Sequence, residues 1–302
     1  MTIIKEKKVL FIGIGNMGSR MVHRLSSLLF NPFDVYTFNR SKIKINSNNV
    51  KFLSVIPDSI EYDIIVSMVA DDNASRDVFF GEYGVLNKMK SNAIIIECST
   101  LSPSYAKELS KKVKSLKSKL YLAPVIGSTD KAELGQLHFL VSGPKETMHV
   151  VSAFLKFMGN KISYLGENYK STILKLINNF LITSELITLG IALDSAIEAG
   201  IDENSFYSIL SNNQSFSPLM TSKLHRHLKE RDNPVNARVE LLKKDIEYVG
   251  QCFGRNETKT KIHEIFSDIL NEACSDDFKN QDISEIIGFM KTKDVQQVYP
   301  CE

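Results

Sequence analysis

The first half of the chain alternates short apolar runs with longer segments of helical periodicity. A helical pattern runs from Gly15 to about Leu29, and another lies near 145–158. The apolar runs are typical of strands and comprise 8–14, 34–39, 63–69, 93–98, 119–125, 138–143 and 161–166. Strands that alternate with helices in this way predict a parallel sheet covered by helices on both faces.

The pattern changes after Gly166. Residues 168–302 show helical periodicity almost throughout and contain no strand-like run. At 302 residues the chain is longer than one hydrophobic core usually serves. We therefore predict an α/β protein, with a doubly wound sheet domain at 1–165 and an all-α domain at 166–302.

Composition and charge exclude several classes of function. A net charge of +2 gives little long-range attraction to nucleic acid or to an anionic membrane. We interpret the lysine-rich run at 107–119 as a solvated helix face. Cysteines 98, 252, 274 and 301 have no CxxC spacing, which favours reduced thiols over disulfides or a zinc site. Since no run approaches the roughly 18 apolar residues of a membrane span, we expect a soluble cytoplasmic protein.

A glycine-rich motif lies between the first predicted strand and the first predicted helix. The sequence GIGNMG places Gly13, Gly15 and Gly18 in GxGxxG spacing, with Asn16 and Met17 between the last two glycines. In this context the glycines allow a tight turn, close approach of a pyrophosphate and close helix–strand packing. The helix N-terminus then offers unpaired N–H groups to the phosphates. The motif predicts a Rossmann-type dinucleotide site.

The end of the second predicted strand indicates which dinucleotide is bound. NAD-dependent enzymes of this fold place an Asp or Glu there for the ribose 2′-hydroxyl. This chain has Asn39, Arg40 and Ser41 instead. No carboxylate repels a 2′-phosphate, and the Arg40 guanidinium is suited to bind one. We predict that NADP(H) is preferred over NAD(H).

The stretch LKLINNFL, residues 174–181, places a lysine and two asparagines in an apolar helix. Burying an ammonium group there is costly unless it is paired or loses its proton. The residues alone leave two alternatives: Lys175 extends to solvent from an amphipathic helix, or it lines a cleft and takes part in chemistry. Lys175 and Asn179 are four residues apart and share a helix face, so both can reach one bound molecule.

Several stretches together resemble the β-hydroxyacid dehydrogenase family, which includes 3-hydroxyisobutyrate dehydrogenase and the glyoxylate/succinic semialdehyde reductases. They occur in family order and span most of the chain. They are VLFIGIGNMGSRM (9–21), ECSTLSP (97–103), APVIGSTDKAELGQLHFLVSG (123–143), LGENYKSTILKLINN (165–179) and KKDI (243–246).

The resemblance implies a role for individual residues. Lys175 would be the general acid/base, with a pKa lowered by partial desolvation, and Asn179 would orient the substrate. From helix geometry alone, Asn178 lies about 100° from Asn179 around the helix, and we expect it to form an interhelical hydrogen bond. The remaining implied cofactor contacts are Met68, Val69, Thr100 and Lys244. The implied substrate contacts are Ser99, Thr100, Ile126, Gly127, Ser128 and Asp245; Asp245 would also tether Lys244 or close the cleft.

Two positions depart from the family pattern. The substrate loop usually has the sequence PVSGG or PVSGS, whereas this chain has PVIGS, so Ile126 removes a hydroxyl expected to bind the substrate carboxylate. A phenylalanine eight residues before the Lys-Asp aspartate is replaced by Ala237. These changes leave the identity of the substrate open.

The histidines do not predict a metal site. His225 and His227 would project about 200° apart on a helix, so we expect both on the surface, unable to share a metal. His23, His138, His149 and His263 lack neighbouring residues with ligand spacing. Hydride transfer of this type needs no metal, and we predict none.

The leading hypothesis is an NADPH-dependent reductase of a small aldehyde or keto acid, which in reverse oxidises a β-hydroxyacid. Imine reductases share this architecture but usually replace the lysine, so Lys175 favours C=O over C=N. The relative that acts on 6-phosphogluconate is disfavoured, because its lysine is followed by His-Asn rather than by Asn178 and Asn179. A non-catalytic dinucleotide-binding scaffold is the third alternative. The resemblance also implies a homodimer or homotetramer.

Overall fold

The computed structural model describes residues 7–27, 32–41, 45, 49–57, 62–81, 84–89, 92–254, 256–275 and 277–292. The chain forms two compact units, Met1–Leu176 and Ile177–Glu302. The division between the units falls inside one long helix, Lys170–Glu198.

The first unit contains a six-stranded parallel sheet. Its strands lie in the order β3-β2-β1-β4-β5-β6. They are β1 (Lys7–Ile12), β2 (Phe33–Phe38), β3 (Val50–Leu53), β4 (Ile64–Ser67), β5 (Ile94–Glu97) and β6 (Lys119–Leu122). The order reverses between β1 and β4, so the carboxyl ends of these two strands form the position where doubly wound sheets bind ligands. The predicted Rossmann-type fold is confirmed.

The helices are α1 (Asn16–Ser26), α2 (Asp72–Phe80), α3 (Pro103–Ser115), α4 (Thr129–Glu133), α5 (Met148–Leu155), α6 (Lys170–Glu198), α7 (Glu203–Leu210), α8 (Pro218–Lys229), α9 (Val239–Val249), α10 (Glu257–Ser275) and α11 (Ile286–Thr292). Side chains cap several of them. Asp71 accepts a hydrogen bond from Ala74 N at the start of α2, and Ser102 accepts one from Tyr105 N at the start of α3. Such caps satisfy N–H groups that have no partner inside the helix.

The central strands are buried on both faces. In β1, Val9 and Phe11 belong to one apolar core, whereas Leu10 and Ile12 belong to a second core on the opposite face. Since neighbouring residues of a strand point to opposite faces, helices must cover both sides of the sheet. This explains why the strand sequences are continuously apolar.

Two details of the strand prediction are wrong. The run 119–125 is not one strand: β6 ends at Leu122, and β7 (Val125–Ile126) joins a second sheet with β8 (Leu137–Val141) and β9 (Gly159–Tyr164). Pro124 separates the two strands, and a proline has no N–H to donate to a sheet. The edge strand β3 was not predicted, because its residues are only partly buried and lack a strong apolar run.

The second unit is helical, as predicted. Between 177 and 292, the residues that the structure describes contain no strand, only an isolated bridge between Arg238 and Asp282. The expectation that His225 and His227 both lie on the surface is wrong for His227. Its side chain is buried, with Nδ1 3.2 Å from Glu285 Oε1, while the side chain of His225 is 45% exposed.

Helix α6 is 29 residues long and, by length and composition, apolar enough to cross a membrane. This was not expected from the sequence. Length and apolar composition alone are weak evidence of a membrane span, because core helices of globular domains have both. Only 33% of the most apolar window of α6 is buried within this chain.

Candidate functional site

The glycine-rich loop after β1 has the geometry that its spacing predicts. Gly13 has φ +88°, and a Cβ at this position would lie 2.3 Å from the carbonyl oxygen of Met68. A Cβ on Gly18 would lie 2.1 Å from Gly13 O, so α1 packs directly on the turn. A Cβ on Gly15 meets no atom within 4 Å. Two glycines are therefore required by the fold, and the third leaves open space beside the backbone.

That open space lies at the N-terminus of α1. Gly15 is the N-cap residue, no side chain caps the helix, and the first turn carries no acidic residue. Gly15 and Asn16 are exposed, and Met17 is half-buried. An uncapped helix N-terminus with its partial positive charge is suited to bind an anion such as a dinucleotide pyrophosphate.

The residues after β2 carry a positive charge and no carboxylate. Asn39 is half-buried, and Arg40 and Ser41 are exposed. Arg40 Nη1 lies 3.3 Å from Asp77 Oδ2, with the two side chains 74% and 63% exposed. An ion pair this exposed is weak, so the guanidinium can exchange Asp77 for another anion.

The loops after β4 and β5 are joined by a hydrogen bond. Val69 N donates to Ser99 Oγ over 2.8 Å, and Met68 N donates to Ile12 O over 2.9 Å. Ser99 is buried, whereas Met68, Val69 and Thr100 are half-buried. These loops lie at the carboxyl edge of the sheet, next to the glycine-rich turn.

Glu97, the last residue of β5, is a polar residue that sequence reasoning did not assign. It is 0% exposed, and its carboxylate accepts hydrogen bonds from Ser99 N and Ser75 Oγ, both over 2.8 Å. Burial raises the pKa of this carboxyl, against the effect of the hydrogen bonds from Ser99 and Ser75. In the sequence, Glu97 could have been noticed as an acidic residue that directly follows the apolar run AIII, residues 93–96.

The predicted substrate loop, 126–128, is also in the first unit. Ile126 is half-buried in β7 and pairs with His138 of β8. Gly127 has φ +139°, a conformation that favours glycine. Ser128 is the N-cap residue of α4, but its hydroxyl makes no capping hydrogen bond.

The first turn of α6 is anchored in the first unit. Ser171 Oγ donates to Leu122 O, at the end of β6, and Ser171 N donates to Ser142 Oγ, both over 2.9 Å. Lys175 lies one turn beyond Ser171 on the same helix face and is half-buried. The anchor therefore sets the position of Lys175 relative to the carboxyl end of β6.

In the second unit, Asn179 is 7% exposed and its Nδ2 donates to Asp245 Oδ2 of α9 over 2.5 Å. This hydrogen bond between α6 and α9 is made by Asn179, whereas we expected Asn178 to make an interhelical bond. Asn178 Nδ2 donates instead to Asn179 Oδ1 over 3.1 Å. The hydrogen bonds with Asn178 and Asp245 together define the orientation of the Asn179 amide.

Lys244 is held by Asp245 in an ion pair. Lys244 Nζ lies 3.0 Å from Asp245 Oδ1 and 5.2 Å from the ring centroid of Tyr248. The structure thus brings together Asn179, Lys244 and Asp245 in the second unit. Within the first unit it brings together the residues after β1, β4 and β5. Among the described residues, no group of three or more His, Cys, Asp or Glu side chains could hold a metal ion.

Comparison with protein families gives two matches that together span nearly the whole chain. Residues 8–166 match the NAD binding domain of 6-phosphogluconate dehydrogenase. Residues 170–290 match the NAD-binding family of NADP-dependent 3-hydroxyisobutyrate dehydrogenase.

Two relatives show similarity over much of their length. A probable mitochondrial 3-hydroxyisobutyrate dehydrogenase of Dictyostelium discoideum is 27% identical over 74% of this chain and 70% of the relative. An uncharacterized oxidoreductase of Bacillus subtilis (strain 168) is 30% identical over 68% of this chain and 72% of the relative.

Solved structures share the fold. The 3-hydroxyisobutyrate dehydrogenase of Mycobacterium tuberculosis with L-serine superposes with a TM-score of 0.79 at 19% identity, covering 95% of this chain and 99% of that one. The imine reductase of Myxococcus stipitatus with NADP+ has a TM-score of 0.60 at 18% identity, covering 94% and 100%.

Proposed function

The chain belongs to the β-hydroxyacid dehydrogenase family of NAD(P)-dependent oxidoreductases, and from this premise we propose that it is an NADPH-dependent reductase of a small aldehyde or keto acid. The observation that carries the proposal is the setting of Lys175. The lysine is half-buried on α6, one turn after the anchored Ser171 and one turn before Asn179, which Asp245 orients.

The proposed mechanism assigns proton transfer to Lys175. When bound, the reduced nicotinamide supplies the hydride that the carbonyl carbon receives. Lys175 in its ammonium form donates a proton to the carbonyl oxygen, and its positive charge stabilises the oxyanion as it develops. In the reverse direction the neutral amine accepts the proton of the hydroxyl group. Asn179 orients the substrate through an amide that Asp245 holds in place.

The first unit supplies the proposed dinucleotide contacts. The backbone N–H groups at the start of α1, next to Gly15, bind the pyrophosphate. Arg40 binds the ribose 2′-phosphate in exchange for its exposed ion pair with Asp77, which supports a preference for NADPH over NADH. Met68 and Val69 are further proposed cofactor contacts, and Thr100 is the proposed neighbour of the nicotinamide half.

The substrate class is tested by an assay of NADPH oxidation with glyoxylate, succinic semialdehyde and a cyclic imine side by side. We expect turnover of at least one carbonyl compound that exceeds turnover of the imine. Faster turnover of the imine would replace the proposal by imine reduction, which the apolar Ile126 in the substrate loop would suit. Binding of NADPH without oxidation across a broad carbonyl panel would instead indicate a non-catalytic dinucleotide-binding protein.

A further inference from the structure

A carboxylate without exposure to water lies beneath the proposed dinucleotide site. Glu97 ends β5 and is 0% exposed. Removing a carboxylate from water is costly unless hydrogen bonds replace those of the solvent. A sheet that needed only apolar packing would place an isoleucine or valine here, as it does at the three preceding positions of β5.

The carboxylate connects the loop after β5 to helix α2. Oε1 accepts from Ser99 N in the loop after β5, and Oε2 accepts from Ser75 Oγ on α2. Tyr105 of α3 donates its hydroxyl to Ser75 Oγ over 3.2 Å. Both oxygens are therefore used, and each fixes a different element.

From Ser99 the connection continues to the glycine-rich turn. Ser99 Oγ accepts from Val69 N over 2.8 Å. Val69 and Met68 pack against Gly13 so closely that a Cβ there would lie 2.8 Å from Val69 Cγ1 and 2.3 Å from Met68 O. The chain of contacts runs from Glu97 through Ser99 and Val69 to Gly13, at the sheet edge where the strand order reverses.

We propose that Glu97 is a positioning residue for dinucleotide binding: its carboxylate orients Ser99, and the Ser99 hydroxyl sets the position of Val69 against the Gly13 turn. The proposal rests on the proposed role of the first unit as the NADPH-binding unit, and it is independent of which carbonyl compound is reduced. It gives the buried Ser99 hydroxyl a task within the protein, rather than in contact with the substrate.

The test is the Kd for NADPH, measured by titration of the fluorescence of the dinucleotide; the chain contains no tryptophan to interfere. We expect Glu97→Ala to raise the Kd about 10-fold, the effect of losing one or two hydrogen bonds that position the site. Glu97→Gln keeps an oxygen to accept from Ser99 N, and we expect it to restore most of the affinity.

Tyr105→Phe is the matched control. It removes a hydrogen bond to Ser75 from the same buried network but leaves those of Ser99 intact. We expect this variant to lower the Tm while the Kd for NADPH stays at the wild-type value. If Tyr105→Phe raised the Kd as much as Glu97→Ala, the role of Glu97 would be that of general core stability, and the proposal would be wrong.

A double-mutant cycle tests the route through Ser99. Because Glu97 acts through Ser99, we expect Ser99→Ala to raise the Kd about as much as Glu97→Ala, and the double variant to match either single one. If the increases in Kd of the two single variants multiplied in the double variant, the proposal would be wrong. An unchanged Kd in Ser99→Ala would also overturn it, even if Glu97→Ala did not fold. A wild-type protein that bound no NADPH would instead refute the proposed dinucleotide role.

Discussion

At the scale of single residues, the setting of Lys175 supports its proposed role. A lysine in an amphipathic helix can extend to solvent along its aliphatic stem. Here the residue is half-buried, and the helix turn before it is fixed by hydrogen bonds of Ser171 to Leu122 and Ser142. A general acid must be held within hydrogen-bonding reach of the atom that it protonates, and an anchored turn limits the movement of the amine.

We expect Lys175→Ala to lower kcat by roughly 10²- to 10⁴-fold, the contribution of a positioned general acid. The measurement is steady-state NADPH oxidation with the carbonyl substrate that the panel identifies. Lys170→Ala is the matched control, since Lys170 is an exposed lysine in the first turn of the same helix. Near-normal turnover of Lys175→Ala would remove this lysine from the mechanism.

Arg40 is the residue on which cofactor preference depends in our proposal. We expect Arg40→Ala to weaken NADPH binding about 10- to 100-fold, since hydrogen bonds to charged groups contribute roughly 1.5–3 kcal/mol. NADH binding should change little, because NADH has no 2′-phosphate. Asp77→Asn removes the carboxylate that competes for Arg40 and should tighten NADPH binding by a few-fold at most. Titration with both dinucleotides checks this, and an equal loss for NADPH and NADH would contradict it.

At the scale of elements, the three glycines of the turn between β1 and α1 differ in what they are needed for: two are needed by the fold, and one leaves space for a ligand. Gly13 and Gly18 are required because a Cβ at either position would overlap backbone atoms. Gly15 has φ −72° and ψ −165°, which an alanine can adopt, and it has open space around it. Its lack of a side chain therefore serves whatever approaches the N-terminus of α1.

This contrast predicts opposite phenotypes for two alanine variants. Gly13→Ala should destabilise the fold by at least about 1–3 kcal/mol, from backbone strain at positive φ together with the clash against Met68. Gly15→Ala should keep the wild-type Tm but raise the Kd for NADPH about 10-fold, since its methyl group occupies the approach of the pyrophosphate. Thermal unfolding and NADPH titration distinguish the two. A stable Gly15→Ala protein with unchanged affinity would argue against pyrophosphate binding at this turn.

At the scale of the whole molecule, α6 exposes an apolar stripe. Leu174, Ile177 and Leu181 are 38–57% exposed, and their spacing of three and then four residues places them on one helix face. Exposed apolar stripes of this kind mark surfaces that associate with other proteins. We propose that this stripe contributes to a homodimer or homotetramer.

The proposal predicts that Leu181→Glu shifts the protein to a smaller oligomer, because a carboxylate on this stripe would have to be buried in the subunit contact. Val55→Glu, at an apolar residue of the first unit that is 60% exposed, serves as a control for surface charge alone. Light scattering coupled to size-exclusion chromatography measures the mass of each. A wild-type monomer, or an unchanged mass for Leu181→Glu, would contradict the proposed role of α6.

Several features could be predicted because they depend on neighbouring residues. The parallel sheet follows from short apolar runs, and the tight turn follows from the spacing of Gly13, Gly15 and Gly18. Other features could not. The end of a strand at Leu122, before Pro124, depends on which of two sheets each segment joins. The burial of His227 against Glu285 depends on packing between residues that are 58 positions apart in the sequence.

The sequence by itself therefore determined most of the elements and the dinucleotide-binding turn, since local sterics and apolar periodicity are properties of short segments, and the resemblance of its motifs indicated the family. Only the tertiary structure decided which polar groups become partners. Asn179 meets Asp245 across 66 residues, and Glu97 reaches Ser75 across 22. Such pairs form because burial removes water from polar groups and obliges each to find a partner, and which partner is nearest depends on the packing of whole elements.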